Sequence, residues 1–456
     1  MGAATSARGR STVRREPPGR RGHLLWGSMF EFQRDPLRFI REVTNNYGDV
    51  VRYRMGHMIW YQANHPDGVR RVLQENNRNY GKGTLTLGIL KPVLGEGLLT
   101  SEGDLWRRQR RLMQPVFHRR SVAAFGEIMT RETLAMLDRW RPGEPLDVAA
   151  EMSRLTLNVV TGALFHSHAG DEPEVIGRAV GTLVEEISYR FQVPIYPPRY
   201  VPTRRNRRMN AAQQTIDRAV YRIIQERRAG TDAVDLLSLL MHTRDEETGE
   251  AMSDRQLRDE AITLYLAGHE TTANALAWTF YLLARNPEAE HRLRAELNEA
   301  LGEALPTAGD LPSLPYARMV VEEAMRLYPP VWITNRQAVA EDEICGYHVP
   351  ADQIVMVCPY VLHRHPNYWE RPEEFDPERF ASGQVRDRPR FAYFPFGGGP
   401  RQCIGRDMAL VEAQLILATV LQRYRLQLAN DRAVEPVPAV TLRPKGGLPM
   451  IVKPVE

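Results

Sequence analysis

Three consecutive glycines, then a cysteine, then a helical pattern form the most chemically pointed stretch of this chain. The segment Phe394 to Gly405 reads FPFGGGPRQCIG and is followed, after Arg406 and Asp407, by MALVEAQLILATVLQRY. Glycines 397 to 399 let the backbone run flat and close against something large. Cys403 then stands where a helix begins, beside unpaired N–H groups and the positive end of the helix dipole. That setting favours a thiolate over a thiol. A thiolate on a loop stripped of side chains suits an iron ligand beneath a flat macrocycle, and such ligation pushes electron density toward O–O cleavage. Two other chemistries compete. A glycine-rich loop before a helix can cradle phosphate, but no Lys-Ser/Thr follows and no βαβ unit surrounds it. The cysteine could be a nucleophile, but no matched His and Asn/Asp signature accompanies it.

A second constellation is Ala267-Gly268-His269-Glu270-Thr271-Thr272. Glycine inside a helix costs about 1 kcal/mol against alanine. Thr271 follows Ala267 by four residues, so its hydroxyl can bond the Ala267 carbonyl or compete with the backbone amide and bend the helix. A widened turn there would open a groove for a small ligand. Glu270 and Thr271 supply a carboxylate and a hydroxyl for proton relay. The competing reading is an exposed Glu and Thr on an ordinary helix. His269 reads as a packing residue. Two further pairs share a helix face: Glu323 with Arg326, and Trp106 with Arg110. Pairs of this kind are common on surfaces and carry little weight alone.

The elements that must position these residues are mainly helical. The chain has 456 residues, 43% of them hydrophobic, enough for a substantial core. Sixty basic against 56 acidic residues leave +4, which argues against a nucleic-acid binder. The three cysteines, Cys345, Cys358 and Cys403, form neither a disulfide framework nor a C-x-x-C metal pair; Cys345 and Cys358 read as small buried residues near strands. No stretch reaches the roughly 18 apolar residues of a membrane span. Residues 1–22 are Arg-rich and polar and read as a disordered tail, with residues 23–456 as one domain. Asp35 and Pro36 predict a helix start, followed by two strands and a further helix from Pro66. Gly81 to Gly103 reads as a long loop. Ser253 and Gln256 cap a helix that runs to Asn286-Pro287, long enough to cross a large domain. Past Pro329-Pro330 the pattern turns β-like. A helix follows Gly405, and AVTLRPKGGLPMIV reads as strand, turn, strand. The fold class is mainly α with a smaller β portion.

Phe396, Gly399, Arg401, Cys403 and Gly405 match the haem-binding signature F-x-x-G-x-R-x-C-x-G of the cytochrome P450 family at every fixed position. The segment from Ala267 to Thr272 resembles that family's A/G-G-x-D/E-T-T oxygen-activation motif, with Glu for the commoner Asp. The resemblance spans about Gly22 to Lys453 and implies a triangular helical prism around a buried haem b (iron protoporphyrin IX). It implies that Cys403 ligates iron, Phe396 packs against the thiolate, Arg401 holds a propionate and Gly405 lets the next helix approach the ring. Ala267 and Gly268 would lie over the iron, and Glu270 with Thr271 would deliver protons. Trp106 and Arg110 match W-x-x-x-R as propionate contacts, and Arg336 fits a strand position that reaches a propionate. Glu323 and Arg326, with Arg379 of FDPERF, would form a buried ion triad behind the cysteine loop. Arg107, Arg108 and Arg111, with Arg119, Arg120 and Arg406, would form a positive face for an acidic electron-transfer partner.

The implied activity is insertion of one oxygen atom from O2 into a hydrophobic small molecule. Terpenoid, fatty acid, carotenoid, steroid and polyketide all stand as candidate substrates. Electrons would come from a separate ferredoxin and an NAD(P)H-dependent ferredoxin reductase, with no nucleic acid and no transmembrane anchor, in the cytoplasm. The alternatives are a peroxygenase on the same fold and a non-catalytic haem sensor. By resemblance, pocket residues are Leu85, Leu87, Ile89 and Leu94, then Leu264 and Tyr265, then Val331, Trp332 and Ile333, and Leu448 on the C-terminal turn. Residues 194–202 would join two lid helices.

Overall fold

Local signals set most of the elements in the computed structural model, which describes residues 15–83, 85–165, 172–193, 196–230, 235–386 and 388–455. A short strand, β1 (Gly19–Arg20), precedes helix α1 (Pro36–Tyr47). The Asp35 carboxylate caps α1, accepting the Arg38 N–H at 3.0 Å, as the Asp-Pro pair predicts. Leu37, Phe39, Ile40 and Val43 make its buried stripe. The chain turns at Gly48 into the antiparallel pair β2 (Val50–Met55) and β3 (Met58–Ala63), and a short helix starts at Pro66.

The tail needs a correction. Residues 1–14 lie outside the described residues, but the tail's last part is strand: β1 runs parallel to β2, with Gly19 opposite Arg52. Only glycine fits there, since a Cβ would stand 1.7 Å from the Arg52 carbonyl oxygen.

Four more strands matter to the site: β4 (Tyr80–Gly81), β5 (Pro145–Asp147), β6 (Thr334–Ala338) and β7 (Ile354–Val357). The main sheet has the order β1-β2-β3-β7-β6-β4. Near the C-terminus lie β8 (Tyr424–Leu428), β9 (Pro436–Pro438), β10 (Leu442–Pro444) and β11 (Pro449–Pro454). The strand, turn, strand reading holds for β10 and β11, but they take different partners: β10 pairs with β9, and β11 lies between β8 and β5.

The Gly81–Gly103 stretch is the clearest departure from sequence expectation. It contains a ten-residue helix, α2 (Leu85–Leu94), despite Gly88 and Pro92. Buried Ile89, Val93 and Leu94 pack into the main core, so tertiary burial overrides poor local propensity. Helices α3 (Gly103–Met113), α4 (Val148–Phe165), α5 (Glu172–Gln192) and α6 (Arg204–Arg228) follow. Residues 194 and 195 of the α5–α6 connection lie outside the described residues.

Helix α7 (Asp254–Arg285) is the predicted long helix, with the Ser253 hydroxyl accepting the Gln256 N–H at 3.2 Å. Its 32 residues span about 48 Å at 1.5 Å per residue. It packs chiefly on α4 and also on α8 (Pro315–Leu327) and α9 (Arg406–Arg423). Residues 415 to 421 of α9 are all buried, as a helix enclosed on every side requires.

Candidate active site

The cysteine loop is bound from both sides. The Cys403 N–H donates to the Phe396 carbonyl at 2.9 Å. Arg110 Nη1 donates to the Gln402 carbonyl at 2.8 Å, Arg401 Nη1 to the Ser101 carbonyl at 3.1 Å, and the Phe394 N–H to His363 Nε2 at 2.9 Å. The glycines answer partly to protein neighbours rather than to a ligand. A Cβ on Gly399 (φ 65°) would stand 1.8 Å from the Leu73 carbonyl oxygen, and one on Gly398 would strike the Phe391 ring. Gly397 and Gly405 alone of this set have open space where a side chain would be.

Cys403 is solvent-accessible, yet the protein packed around it pushes its thiol pKa up, against the opposing pull of the Gly405 N–H, Arg110 and Arg406. Both statements hold together if the sulfur faces a space inside the molecule. Ala267 gives a matching sign on α7: it is exposed, although Tyr265 and His269 on the same helix are buried. Thr271 Oγ1 donates to the Ala267 carbonyl at 2.8 Å, as its spacing predicts. The helix assignment nevertheless runs unbroken through this turn, so the expected widening is absent. His269 is a packing residue: its Nε2 meets Ser153 Oγ at 2.9 Å on α4, and burial lowers its pKa.

Glu270 is held away from Thr271. Its Oε1 accepts the Thr441 hydroxyl at 2.5 Å and pairs with Arg443 Nε, while Asn274 Nδ2 donates to Thr441 Oγ1 at 3.0 Å. Sequence reading missed Thr441 and Arg443. A Thr-x-Arg leading into a strand carries no local mark, and Arg443 and its partner Glu270 lie 173 residues apart.

Arg336 and Arg401 form part of a cation cluster, joined by a residue the sequence did not single out, Lys82, while Arg110 stands within electrostatic reach of Cys403. Burial and then the charges of Arg336 and Arg401 lower the Lys82 amine pKa. Burial and Arg401 push Arg336 down to about 10. Burial also lowers Arg110 and Arg401. Glu102 is the carboxylate acting against this repulsion. The other contacts are neutral: Lys82 Nζ donates to the Leu99 carbonyl at 2.7 Å, Arg336 Nη1 to the Asn335 carbonyl at 2.7 Å, and Arg401 stacks 4.3 Å over the Trp106 ring. Partly buried like charges with so little compensation fit a ligand that brings carboxylates. With an accessible thiol nearby, the donor set fits a haem carrying two propionates.

The expected triad is assembled, with Arg379 held to Glu323 by charge alone, since its buried Nε has no hydrogen-bond partner. Arg326 Nε and Nη2 bind the two Glu323 oxygens at 2.6 and 2.7 Å, and Arg379 Nε lies 3.5 Å from Glu323 Oε1. Arg326 also donates to the carbonyls of His363, Pro372 and Glu374, and the Asp376 N–H donates to Glu323 at 2.9 Å.

The remaining candidates stand in different settings, and Tyr265 also lines a small apolar cavity with Phe165, Val180 and Ile262. Ile89, Leu94, Tyr265 and Leu448 are buried in the main core, and Trp332 sits in a separate cluster with Leu37, Ile40 and Tyr53, its Nε1 donating to the Ala439 carbonyl. Ile333 packs against that same cluster. Leu87 and Leu264 are half-buried and Val331 is exposed, so these three keep surface free; the side chain of Leu85 lies outside the described residues. Cys358 is buried as expected, but Cys345 is exposed at φ 48° in a strand turn. The positive face is smaller than expected. Arg108 and Arg111 turn to Asp245, Glu247 and Glu250, and Arg107 pairs with Asp104. Arg406 is exposed; the side chains of Arg119 and Arg120 lie outside the described residues.

A family model described as Cytochrome P450 matches residues 17–450. The chain is 38% identical over 436 residues to cyclooctatin synthase of Streptomyces melanosporofaciens, covering 95% of this chain and 94% of that protein. It is also 38% identical over 439 residues to cyclooctat-9-en-7-ol 5-monooxygenase of the same organism, covering 94% and 93%. The crystal structure of the cytochrome P450DA heme domain superposes with a TM-score of 0.89 at 27% identity, covering 97% of this chain and 99% of that one. No helix among the described residues is long and apolar enough to cross a membrane.

Proposed function

The chain belongs to the cytochrome P450 family, and on that premise we propose that this monooxygenase oxygenates a cyclic terpenoid. It would use haem b and electrons from a separate ferredoxin and ferredoxin reductase in the cytoplasm. The observation that carries the reading is the accessible Cys403 thiol beside a cluster of buried and half-buried cations short of anions. The relative that acts on cyclooctat-9-en-7-ol, an unsaturated cyclic alcohol by its name, supports the substrate class. The apolar accessible residues Leu87, Leu264, Ala267 and Val331 support a hydrophobic guest.

In this reading Cys403 Sγ would be the iron ligand, and Trp106, Arg110, Arg336, Arg401 and Lys82 would hold the two propionates. A thiolate-ligated haem supplies cleavage of O2 and transfer of one oxygen atom to carbon. The protein's own task is placement and proton control. Ala267 and Gly268 leave α7 without bulk where the guest must approach. Thr271 Oγ1, now donating to the Ala267 carbonyl, carries the proton passed to the reacting centre. Glu270 relays protons to it from solvent, and its bonds to Thr441 and Arg443 hold its side chain in place until it turns. The Glu323–Arg326–Arg379 cluster holds the cysteine loop in register with α8.

Two measurements test this. Reduced protein under carbon monoxide should show the red-shifted Soret band of thiolate ligation, and cyclic terpene alcohols should convert ferric iron from low to high spin more strongly than fatty acids do. Spin conversion by fatty acids alone would overturn the substrate class. Thr271→Ala should keep consuming reducing equivalents while product per electron falls by about tenfold or more, the balance leaving as peroxide or water. Unchanged coupling would remove Thr271 from the proton path.

A further inference from the structure

We propose that the turn His23–Gly27, with Phe30 and Ile59 beside it, docks this protein onto an anionic lipid bilayer. Leu24, Leu25 and Trp26 form the tip of the turn and are 85%, 69% and 48% exposed; Phe30 and Ile59 are 58% and 39% exposed. The Trp26 and Phe30 rings meet edge-on at 5.8 Å. Ile59 is the cross-strand partner of Arg54, so it shares a sheet face with the residue that grips the turn. Scattered single apolar residues on a surface need no explanation, but a contiguous set marks an interaction site.

The exposure is built in. The N–H groups of His23 and Gly27 each donate to the other's carbonyl at 2.8 Å. Arg54 Nη2 donates to the His23 carbonyl at 2.6 Å and also to the Leu24 carbonyl. The Gly56 N–H donates to the Trp26 carbonyl at 3.1 Å, and the Leu25 N–H to His23 Nδ1 at 3.2 Å. Gly27 sits at φ 61°, and a Cβ there would stand 2.0 Å from the Arg54 carbonyl oxygen. The backbone of the turn is thus clamped to β2 with its three apolar side chains held outward.

Charge selects the partner. Arg21 and Arg34 have no ion pair among the described residues and flank the turn in sequence. The first fourteen residues add Arg8, Arg10 and Arg14 and contain no carboxylate. An apolar tip with Trp, flanked by arginines, is the composition that lies in the headgroup layer of an anionic membrane. The absence of a spanning helix among the described residues agrees with surface docking. This inference does not depend on the substrate reading above.

The test is flotation of the full haem-loaded chain with vesicles of phosphatidylcholine alone or with 30% phosphatidylglycerol added. The wild type should float with the anionic vesicles and much less with the neutral ones, and 0.5 M salt should weaken binding. The double variant Leu24→Ser, Leu25→Ser should lose at least tenfold in partitioning while its carbon monoxide spectrum stays unchanged. Absence of wild-type flotation, or equal flotation of the double variant, would overturn the proposal. So would a dimer in sedimentation equilibrium that the double variant breaks without any lipid binding, because the patch would then serve self-association.

Discussion

Two clusters of cations flank the cysteine loop, one of buried Arg326 and Arg379 and one of buried Arg336 with half-buried Arg401 and Lys82, and they are balanced differently. Behind the loop, Arg326 and Arg379 share Glu323, and the Arg326 guanidinium also bonds three backbone carbonyls. In front of it, Lys82, Arg336 and Arg401 repel one another, with Glu102 as their carboxylate. A buried charge is tolerable only when paired and hydrogen-bonded. The cluster behind the loop meets that condition for Arg326 and Glu323 from within the chain, while the buried Arg379 Nε keeps only its 3.5 Å ion pair and Arg388 adds a third cation facing Glu323. The cluster in front has one opposing carboxylate, Glu102, and otherwise neutral partners, a balance that fits an anionic guest. The Glu270–Arg443 pair on α7 falls between: closed at present, yet adjacent to Thr271.

The comparison breaks most forcefully at Glu323. Glu323→Ala leaves Arg326 and Arg379 buried without their carboxylate, which should cost about 3–5 kcal/mol. Because this charge balance needs no guest, urea midpoints should fall both with haem bound and after its extraction. A midpoint that falls only in the loaded protein would mean the cluster behind the loop serves the ligand after all. Arg336→Leu and Arg401→Leu should behave in the reverse manner. Each removes a like-charge repulsion, so the haem-free protein should be as stable as wild type or more so. Each also removes charge-assisted bonds to the guest, worth about 1.5–3 kcal/mol, so transfer of haem to an acceptor globin should be about ten- to a hundredfold more complete at equilibrium. Equal destabilisation of both forms would erase the distinction between the clusters.

Legibility in the sequence follows the same division. Features that declare themselves locally were readable: the Asp35-Pro36 start of α1, the Ser253 cap of α7, the Thr271 to Ala267 bond and the Glu323-Arg326 pair all depend on neighbours within a turn or so. Features made by distant segments were not. Lys82 is a lone lysine in a glycine-rich stretch, and only the pairing of β4 with β6 brings it near Arg336. Arg443 meets Glu270 across the gap between a C-terminal strand and α7. Helix α2 was hidden because Gly88 and Pro92 speak against a helix, while the core contacts that stabilise it come from elsewhere in the chain. The apolar pocket candidates divide for the same reason: a leucine's type does not say whether its neighbour is a cavity or another side chain, so Leu264 keeps free surface while Leu448 has none.

The finest difference between the clusters lies in the protons of Lys82. Its folded pKa is below the ordinary 10.5, so between the two values the unfolded chain binds more protons than the folded one. Stability of the haem-free protein should therefore rise with pH across that window, up to about 10.5. The slope should stay well under the roughly 1.4 kcal/mol per pH unit of a full proton, because the Lys82 side chain is only half-buried and water screens it. Lys82→Met should flatten the rise. Bound propionates should flatten it too, since an adjacent carboxylate returns the amine toward its ordinary pKa. Urea midpoints from pH 7 to 10 for wild-type protein without haem, wild-type protein with haem, and Lys82→Met without haem would read all three. A slope in the first sample alone ties the proton deficit of Lys82 to the missing anion. A slope that persists when haem is bound would place Lys82 outside the guest's reach and return the cluster to three arginines.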